Sequence, residues 1–432
     1  MHQKSPTTRQ PKQKINRCVL NNGITVISAE NMAADIVAGR IFFKNAGATG
    51  EAREAAGRAH LLSATITKGC GELSSLEIAE KVESVGASLG ADAASDYFLV
   101  SLKTVSADFA QMLQLTAQML RSPTFPTEEV ELEKNLSLQN IRSQQEQPFN
   151  VAFNQLRQAM YPHHPYGVSI LGREETVSGL SRADLEQHHQ IYFRPDNMVI
   201  SLSGRLTQAE AVKLVEHTFG DWQAPNTSLP IPKLAELTSQ PSLEITPQET
   251  QQSIIMLGYL TPSIKEKDYF ALKLLNTYLG NGLSSRLFVE LREKRGLAYD
   301  VSAFYPTRMD KSNFVVYIGT APGNTATSIE GLHTELKRLC QTELTAEELQ
   351  AAKNKLLGQY ALGKQSNSEI AQIFGWYETI DLGIEFDSYF QNAIANITPE
   401  IAQQVACRYF HESPYLSIVG PAEAVEGHSL PQ

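Results

Sequence analysis

At 432 residues, with 42% hydrophobic and 19% charged side chains, the chain is long enough for two or three domains and too apolar to be disordered over most of its length. A formal net charge of −10 argues against a nucleic-acid or anionic-membrane surface as the main partner, and no apolar run reaches the length of a membrane-spanning helix. Cys18, Cys70, Cys340 and Cys407 stand far apart with no C-x-x-C pair, which suits free thiols in a reducing compartment and excludes a disulfide framework or a thiolate metal site.

The first seventeen residues carry Lys4, Arg9, Lys12, Lys14 and Arg17 and no acid, yet lack the apolar core of a secretory signal. Residues 1–14 therefore read as a disordered basic tail, and the expected location is cytoplasmic, with an organellar matrix as the alternative. Leu20-Asn21-Asn22-Gly23-Ile24-Thr25-Val26-Ile27 predicts a hairpin through an Asn-Gly turn. A strand from Ile36 to Lys44 leads through Gly47 and Gly50 into a helix bearing His60, and Ser74 with Glu77 forms a capping box for a helix with Ile78, Val82 and Val85 on one face.

Next come a strand from Tyr97 to Leu102, a helix from Phe109 to Leu120 and a long polar helix from Thr127 to Gln145. A helix from Asp184 to Tyr192, a strand from Met198 to Ser203 and a helix capped by Thr207 and Glu210 complete the first half. Strands and helices alternate, as in an α/β chain. Residues 223–243 are rich in Pro and Ser and read as an exposed, semi-stiff linker between domains at 15–222 and 244–425, with a short tail at 426–432.

The second half echoes the first. Thr127-Glu128-Glu129-Val130 returns as Thr345-Ala346-Glu347-Glu348-Leu349, Leu180-Ser181 through Tyr192-Phe193 as Ile397-Thr398 through Tyr409-Phe410, and Ser203-Gly204 as Val419-Gly420. Each cap or strand end alone is weak, but three in one order at nearly one offset point to a tandem duplication.

Gly57-Arg58-Ala59-His60-Leu61-Leu62-Ser63-Ala64 has the frame of an H-x-x-E-H zinc-peptidase helix, with Ser63 and Ala64 where Glu and the second His belong. The intact motif works because catalytic zinc wants three protein ligands, an open position for water, and a carboxylate to take that water's proton. One imidazole does not hold such an ion, and a serine hydroxyl is no general base near neutral pH. Paired histidines at 163 and 164 and at 188 and 189 lack ligand spacing on one face, so no metal is assigned to them.

Several stretches together resemble the pitrilysin or insulinase family of zinc peptidases: Gly57 through Gly69, Leu171-Gly172-Arg173-Glu174-Glu175-Thr176, Tyr192-Phe193-Arg194-Pro195-Asp196-Asn197-Met198, and Ser284-Ser285-Arg286-Leu287-Phe288 leading into Leu291-Arg292-Glu293-Lys294-Arg295-Gly296-Leu297-Ala298-Tyr299. The resemblance places the last zinc ligand in Leu138-Gln139-Asn140-Ile141, with Asn140 in the ligand's place, and leaves Glu133 as a second-shell acid or a plain solvated carboxylate. Gly90 replaces the Asn usual in the family's substrate strand. The family's second domains hold an Arg and a Tyr that reach the active site of the opposite catalytic domain, and Arg292 and Tyr299 match them. Their spacing of two helical turns lets the pair share one face until Gly296 bends the chain. Gly280-Asn281-Gly282 resembles the glycine-containing loop that faces substrate in the family's non-catalytic subunits, and is also what a tight turn at a helix end looks like.

The resemblance implies two homologous domains, each a mainly antiparallel sheet packed with helices, forming half of a clamshell chamber. It implies a subunit with no cofactor of its own that pairs with a homologous zinc-competent subunit, a homodimer being the alternative, and supplies Arg292 and Tyr299 in trans to act on peptides. A structural or assembly subunit and an independent peptidase are the competing readings.

Overall fold

The computed structural model describes residues 14–232 and 234–431; the expected basic tail lies outside them except for its last residue. Strand β1 (Ile15–Val19) pairs antiparallel with β2 (Thr25–Glu30). Gly23 sits in the turn at φ 95°, and a Cβ there would approach the Asp196 backbone to 2.9 Å, so both conformation and space demand glycine. Strand β3 (Ile36–Lys44), helix α1 (Arg58–Thr65), the small hairpin β4 (Gly69–Cys70) and β5 (Leu73–Ser74), and α2 (Ser75–Glu83) follow. The predicted capping box of Ser74 and Glu77 is formed.

Strands β6 (Ser88–Ala93) and β7 (Tyr97–Val105) precede helices α3 (Ser106–Arg121), α4 (Thr127–Gln145), α5 (Pro148–Met160), α6 (Glu174–Gly179) and α7 (Arg182–Tyr192), then β8 (Met198–Gly204) and α8 (Gln208–Phe219). The first sheet runs β1-β2-β8-β3-β7-β6 and is antiparallel except for β2 against β8. Strand β3 is apolar on both faces because both are covered: Gly39 lies against Phe109 of α3, and Phe42 points the other way.

The second half repeats the plan with β9 (Leu243–Pro247), β10 (Ser253–Thr261), α9 (Asp268–Gly280), β11 (Ala298–Phe304), β12 (Ser312–Thr320), α10 (Thr325–Gln341), α11 (Ala346–Leu362), α12 (Asn367–Thr379), α13 (Phe386–Ala395), α14 (Pro399–Phe410), β13 (Tyr415–Gly420) and the short α15 (Ala422–Val425). Its sheet runs β11-β12-β10-β13-β9, with β13 against β9 as its parallel pair. The fold is thus two repeated sheet-and-helix domains of mixed α and β structure.

The halves exchange a helix. Helix α5 packs on β10 and β13 of the second sheet, while its counterpart α12 packs on β2, β3 and β8 of the first. Glycines permit this closeness: a Cβ on Gly375 of α12 would stand 2.4 Å from the Phe42 ring, and one on Gly258 of β10 would stand 2.8 Å from Met160 Sδ. One hydrophobic core consequently runs across both halves, joining Ile27, Phe42 and Val199 to Ile370, Phe374 and Tyr377. Polar clasps reinforce it, with Arg17 on Glu378 at 2.8 Å and Lys44 on Asp381 at 2.6 Å.

Residues 223–243, read above as an exposed linker, are exposed at many positions but anchored to the two halves. Leu237 among them is buried, Arg194 donates to the Thr227 carbonyl at 2.7 Å, Lys311 donates to the Leu237 carbonyl at 2.6 Å, and Leu243 already belongs to β9. The C-terminal residues are likewise held, since Leu430 packs against the second core. No helix among the described residues is long and apolar enough to cross a membrane.

Candidate functional site

Helix α1, which carries the altered zinc motif, packs against α4, α7 and β6. The N-cap residue just before it, Gly57 at φ 99°, has no side chain to cap it. The cap comes from farther back, where the Glu51 carboxylate accepts the N–H of Gly57 at 3.1 Å and that of Ala59. Burial pushes the Glu51 carboxyl up from 4.5 to about 7. The folded chain then holds this proton more tightly than the unfolded chain, so the associated stability is complete below pH 4.5 and is lost as pH rises toward 7. The unfolding free energy of wild type minus that of Glu51→Gln is expected to fall across that window in denaturant titrations; a flat difference contradicts it.

His60 is half-buried, and desolvation lowers its pKa while Glu133 and Asp92 pull the other way. Ser63 is 7% exposed and donates its hydroxyl to the His60 carbonyl at 2.7 Å, a back-bond within the helix. Ala64 is half-buried and brings no donor atom, and Asn140 is exposed on α4. Glu133 is not a solvated carboxylate: its side chain is 16% exposed and pairs with Lys68 at 2.8 Å. Among the described residues no three His, Cys, Asp or Glu side chains gather closely enough to hold a metal ion. This donor set does not fit a catalytic zinc, which needs three ligands and a base.

Strand β6 is the free edge of the first sheet, beside α1. A Cβ on Gly90 would meet nothing within 4 Å, so the absence of a side chain there is not imposed by space. Of the paired histidines, His163 is exposed and the other three are buried. His188 Nε2 lies 2.9 Å from the Ala46 carbonyl and His189 Nε2 2.8 Å from that of Leu120, and burial lowers His188 to about 4. His164 is buried beside Asp310 at 3.2 Å.

Arg292 and Tyr299 do not share a helix face, which corrects the expectation from spacing. Phe288–Glu293 is a π-helical turn and Tyr299 lies on β11, the edge strand of the second sheet. The β11 register shifts between Ala298 and Asp300, making Tyr299 the extra residue of a bulge, and its side chain is 62% exposed. A bulge at a sheet edge re-aims a side chain, here toward solvent. Arg292 is also exposed and stacks its guanidinium 5.0 Å from the Phe288 ring centroid.

Gly280 ends α9 where a Cβ would stand 2.0 Å from the Ala303 nitrogen, and Gly282 takes φ 82°. Asn281 donates to Gln359 at 2.8 Å. The Gly-Asn-Gly segment is therefore a tight helix-end turn with one polar contact to α11. The structure brings His60, Ser63, Ala64 and Glu133 together through α1 and α4, and sets Arg292, Tyr299 and the glycine turn in the other half. Sequence reasoning missed Glu51 and Lys68. The signal for Glu51 is an acid shortly before a helix whose N-cap is glycine.

The model described as insulinase (peptidase family M16) matches residues 25–174, and the one described as peptidase M16 inactive domain matches residues 179–356. Two relatives described as uncharacterized zinc proteases are each 27% identical to this chain. YmxG of Bacillus subtilis aligns over 94% of this chain and 98% of its own length, and a Mycobacterium leprae protein over 94% and 91%. A protease from Helicobacter pylori has the same fold, with a TM-score of 0.89 at 22% identity over 95% of this chain and all of the other. A structure described as a peptidase M16 inactive domain from Pseudomonas fluorescens has a TM-score of 0.87 at 24% identity, covering 94% and 98%.

Proposed function

Because this chain belongs to the insulinase family of peptidases, M16, we propose that it is a zinc-free subunit that pairs with a homologous zinc-competent subunit. It closes the peptide chamber and supplies Arg292 and Tyr299 in trans. The observation that carries this reading is the donor set on α1 and α4: one half-buried His60, a Ser63 hydroxyl spent on its own helix, Ala64 and an exposed Asn140. No arrangement of these atoms supplies three metal ligands and a proton acceptor. Arg292 and Tyr299, by contrast, are exposed and unspent on the core, as groups that act on a neighbour's substrate must be. Their chemistry there is to hold the peptide backbone and stabilise the oxyanion of the tetrahedral intermediate.

The relatives' descriptions as zinc proteases favour an independent zinc peptidase, and the donor set opposes it. A scaffold subunit without proteolytic work has no use for an exposed Arg and Tyr at these positions. Affinity purification of the tagged chain from its native host decides between the readings. Recovery with a homologous chain bearing an intact H-x-x-E-H is expected; recovery alone, or with membrane electron-transfer subunits, overturns pairing.

A further inference from the structure

The two halves meet around a cleft of about 260 Å3 that the peptidase reading does not use. Ser95 and Tyr97 line it from the β6–β7 turn and the start of β7, Thr307 and Arg308 from the loop between β11 and β12, and Trp376 from the exchanged helix α12. Arg308 is its cation. The guanidinium lies 4.6 Å from the Tyr166 ring centroid and donates through Nη1 to Ser95 Oγ. Its Nε is buried without an acceptor, and among the described residues Nη2 has none either.

Of the neighbouring acids, Asp96 itself lines the cleft and attracts Arg308, but both it and Asp310 have other direct partners. Asp96 accepts the Tyr166 hydroxyl at 2.5 Å, and Asp310 faces His164 at 3.2 Å. Neither forms an ion pair with Arg308 among the described residues; burial moves the Asp96 carboxyl upward while its hydrogen bond from Tyr166 and the charge of Arg308 pull it down. A guanidinium with an N–H left without an acceptor, at a domain joint where no carboxylate pairs with it directly, is an unfavourable arrangement that an anion in the cleft would relieve. Aromatic groups beside it, Tyr97 and Trp376, favour an apolar body on that anion. The volume sits just under the roughly 300–1,000 Å3 of drug-sized sites, which limits the occupant to a single residue-sized unit.

We propose that this interdomain cleft binds a carboxylate carrying one apolar or aromatic group, its carboxylate on Arg308 and its apolar body against Trp376 and Tyr97. The carboxylate comes from a free small acid or from the C-terminal residue of a peptide. This site stands apart from the zinc-site reading and survives or fails without it.

Calorimetric titration of the full chain tests the proposal with N-acetylphenylalanine, its amide, and a hexapeptide ending in phenylalanine with a free or an amidated C-terminus. N-acetylphenylalanine is expected to bind saturably, with the amide at least about tenfold weaker, the scale of one lost hydrogen bond to a charged group. Binding of the free-ended hexapeptide as well points to a chain terminus as the source; exclusion of it points to a free acid. Arg308→Met is expected to weaken the acid by about ten- to hundredfold and leave the amide unchanged. Equal binding of acid and amide, no binding of either at millimolar concentration, or unaltered affinity in a folded Arg308→Met chain overturns the proposal. The acid-against-amide comparison on wild type decides it even where that variant does not fold.

Discussion

Replacing Ser63 with Glu, Ala64 with His and Asn140 with Glu together is expected to turn a chain that keeps no zinc through dialysis into one that retains about one zinc per chain. The scaffold for it is in place. Helix α1 is held at its start by Glu51 and along its length by α4, α7 and β6, so positions 60, 63 and 64 share a fixed frame. Position 64 is half-buried and 140 exposed, so neither new side chain displaces core. Position 63 is the tight one at 7% exposure, and Glu there is expected to cost about 1–3 kcal/mol of stability before metal binds. Ala64→His alone gives two imidazoles at i and i+4 and is expected to bind only weakly, lacking the third ligand. Metal analysis by mass spectrometry reads both results. Stoichiometric zinc in the dialysed wild-type chain would contradict the zinc-free reading outright.

In a reconstituted pair with a zinc-competent partner, Arg292→Ala or Tyr299→Phe is expected to slow peptide turnover by about ten- to a thousandfold, the scale of losing one donor to a developing oxyanion. The loss should fall mainly on kcat if the contact forms in the transition state, and mainly on KM if Arg292 only holds the ground-state peptide. Both side chains are exposed, so neither substitution should disturb the second core, and unchanged thermal unfolding is the control. Unaltered rates remove the role in trans while leaving the zinc result untouched.

Neighbour-range chemistry made much of the chain legible. Asn22-Gly23 placed the β1–β2 hairpin because only a residue tolerant of positive φ closes so tight a turn, and Ser74 with Glu77 and Thr207 with Glu210 marked helix starts through capping boxes that the structure forms. The polar helix from Thr127 to Gln145 was readable to both ends. The gaps at Ser63 and Ala64 were equally visible, since a motif defined by donor atoms is lost with those atoms. Spacing misled at Tyr299, where two turns of helix were expected and a π-helical turn followed by a bulged edge strand was found. Helical periodicity does not report where a helix stops when the stop is set by pairing with a strand distant in sequence, here β12.

The order of strands and helices, their duplication and the departures from the zinc motif at Ser63 and Ala64 were thus written in local residue patterns, because caps, turns and ligands act over a few positions. Tertiary structure alone decided that α5 and α12 trade sheets, that Lys68 occupies Glu133, that Glu51 caps the motif helix, and that Arg308 faces a cleft between the halves. An amphipathic helix looks the same whichever sheet it covers, and a charge does not announce its partner, so these outcomes depend on long-range packing that no window of the chain contains.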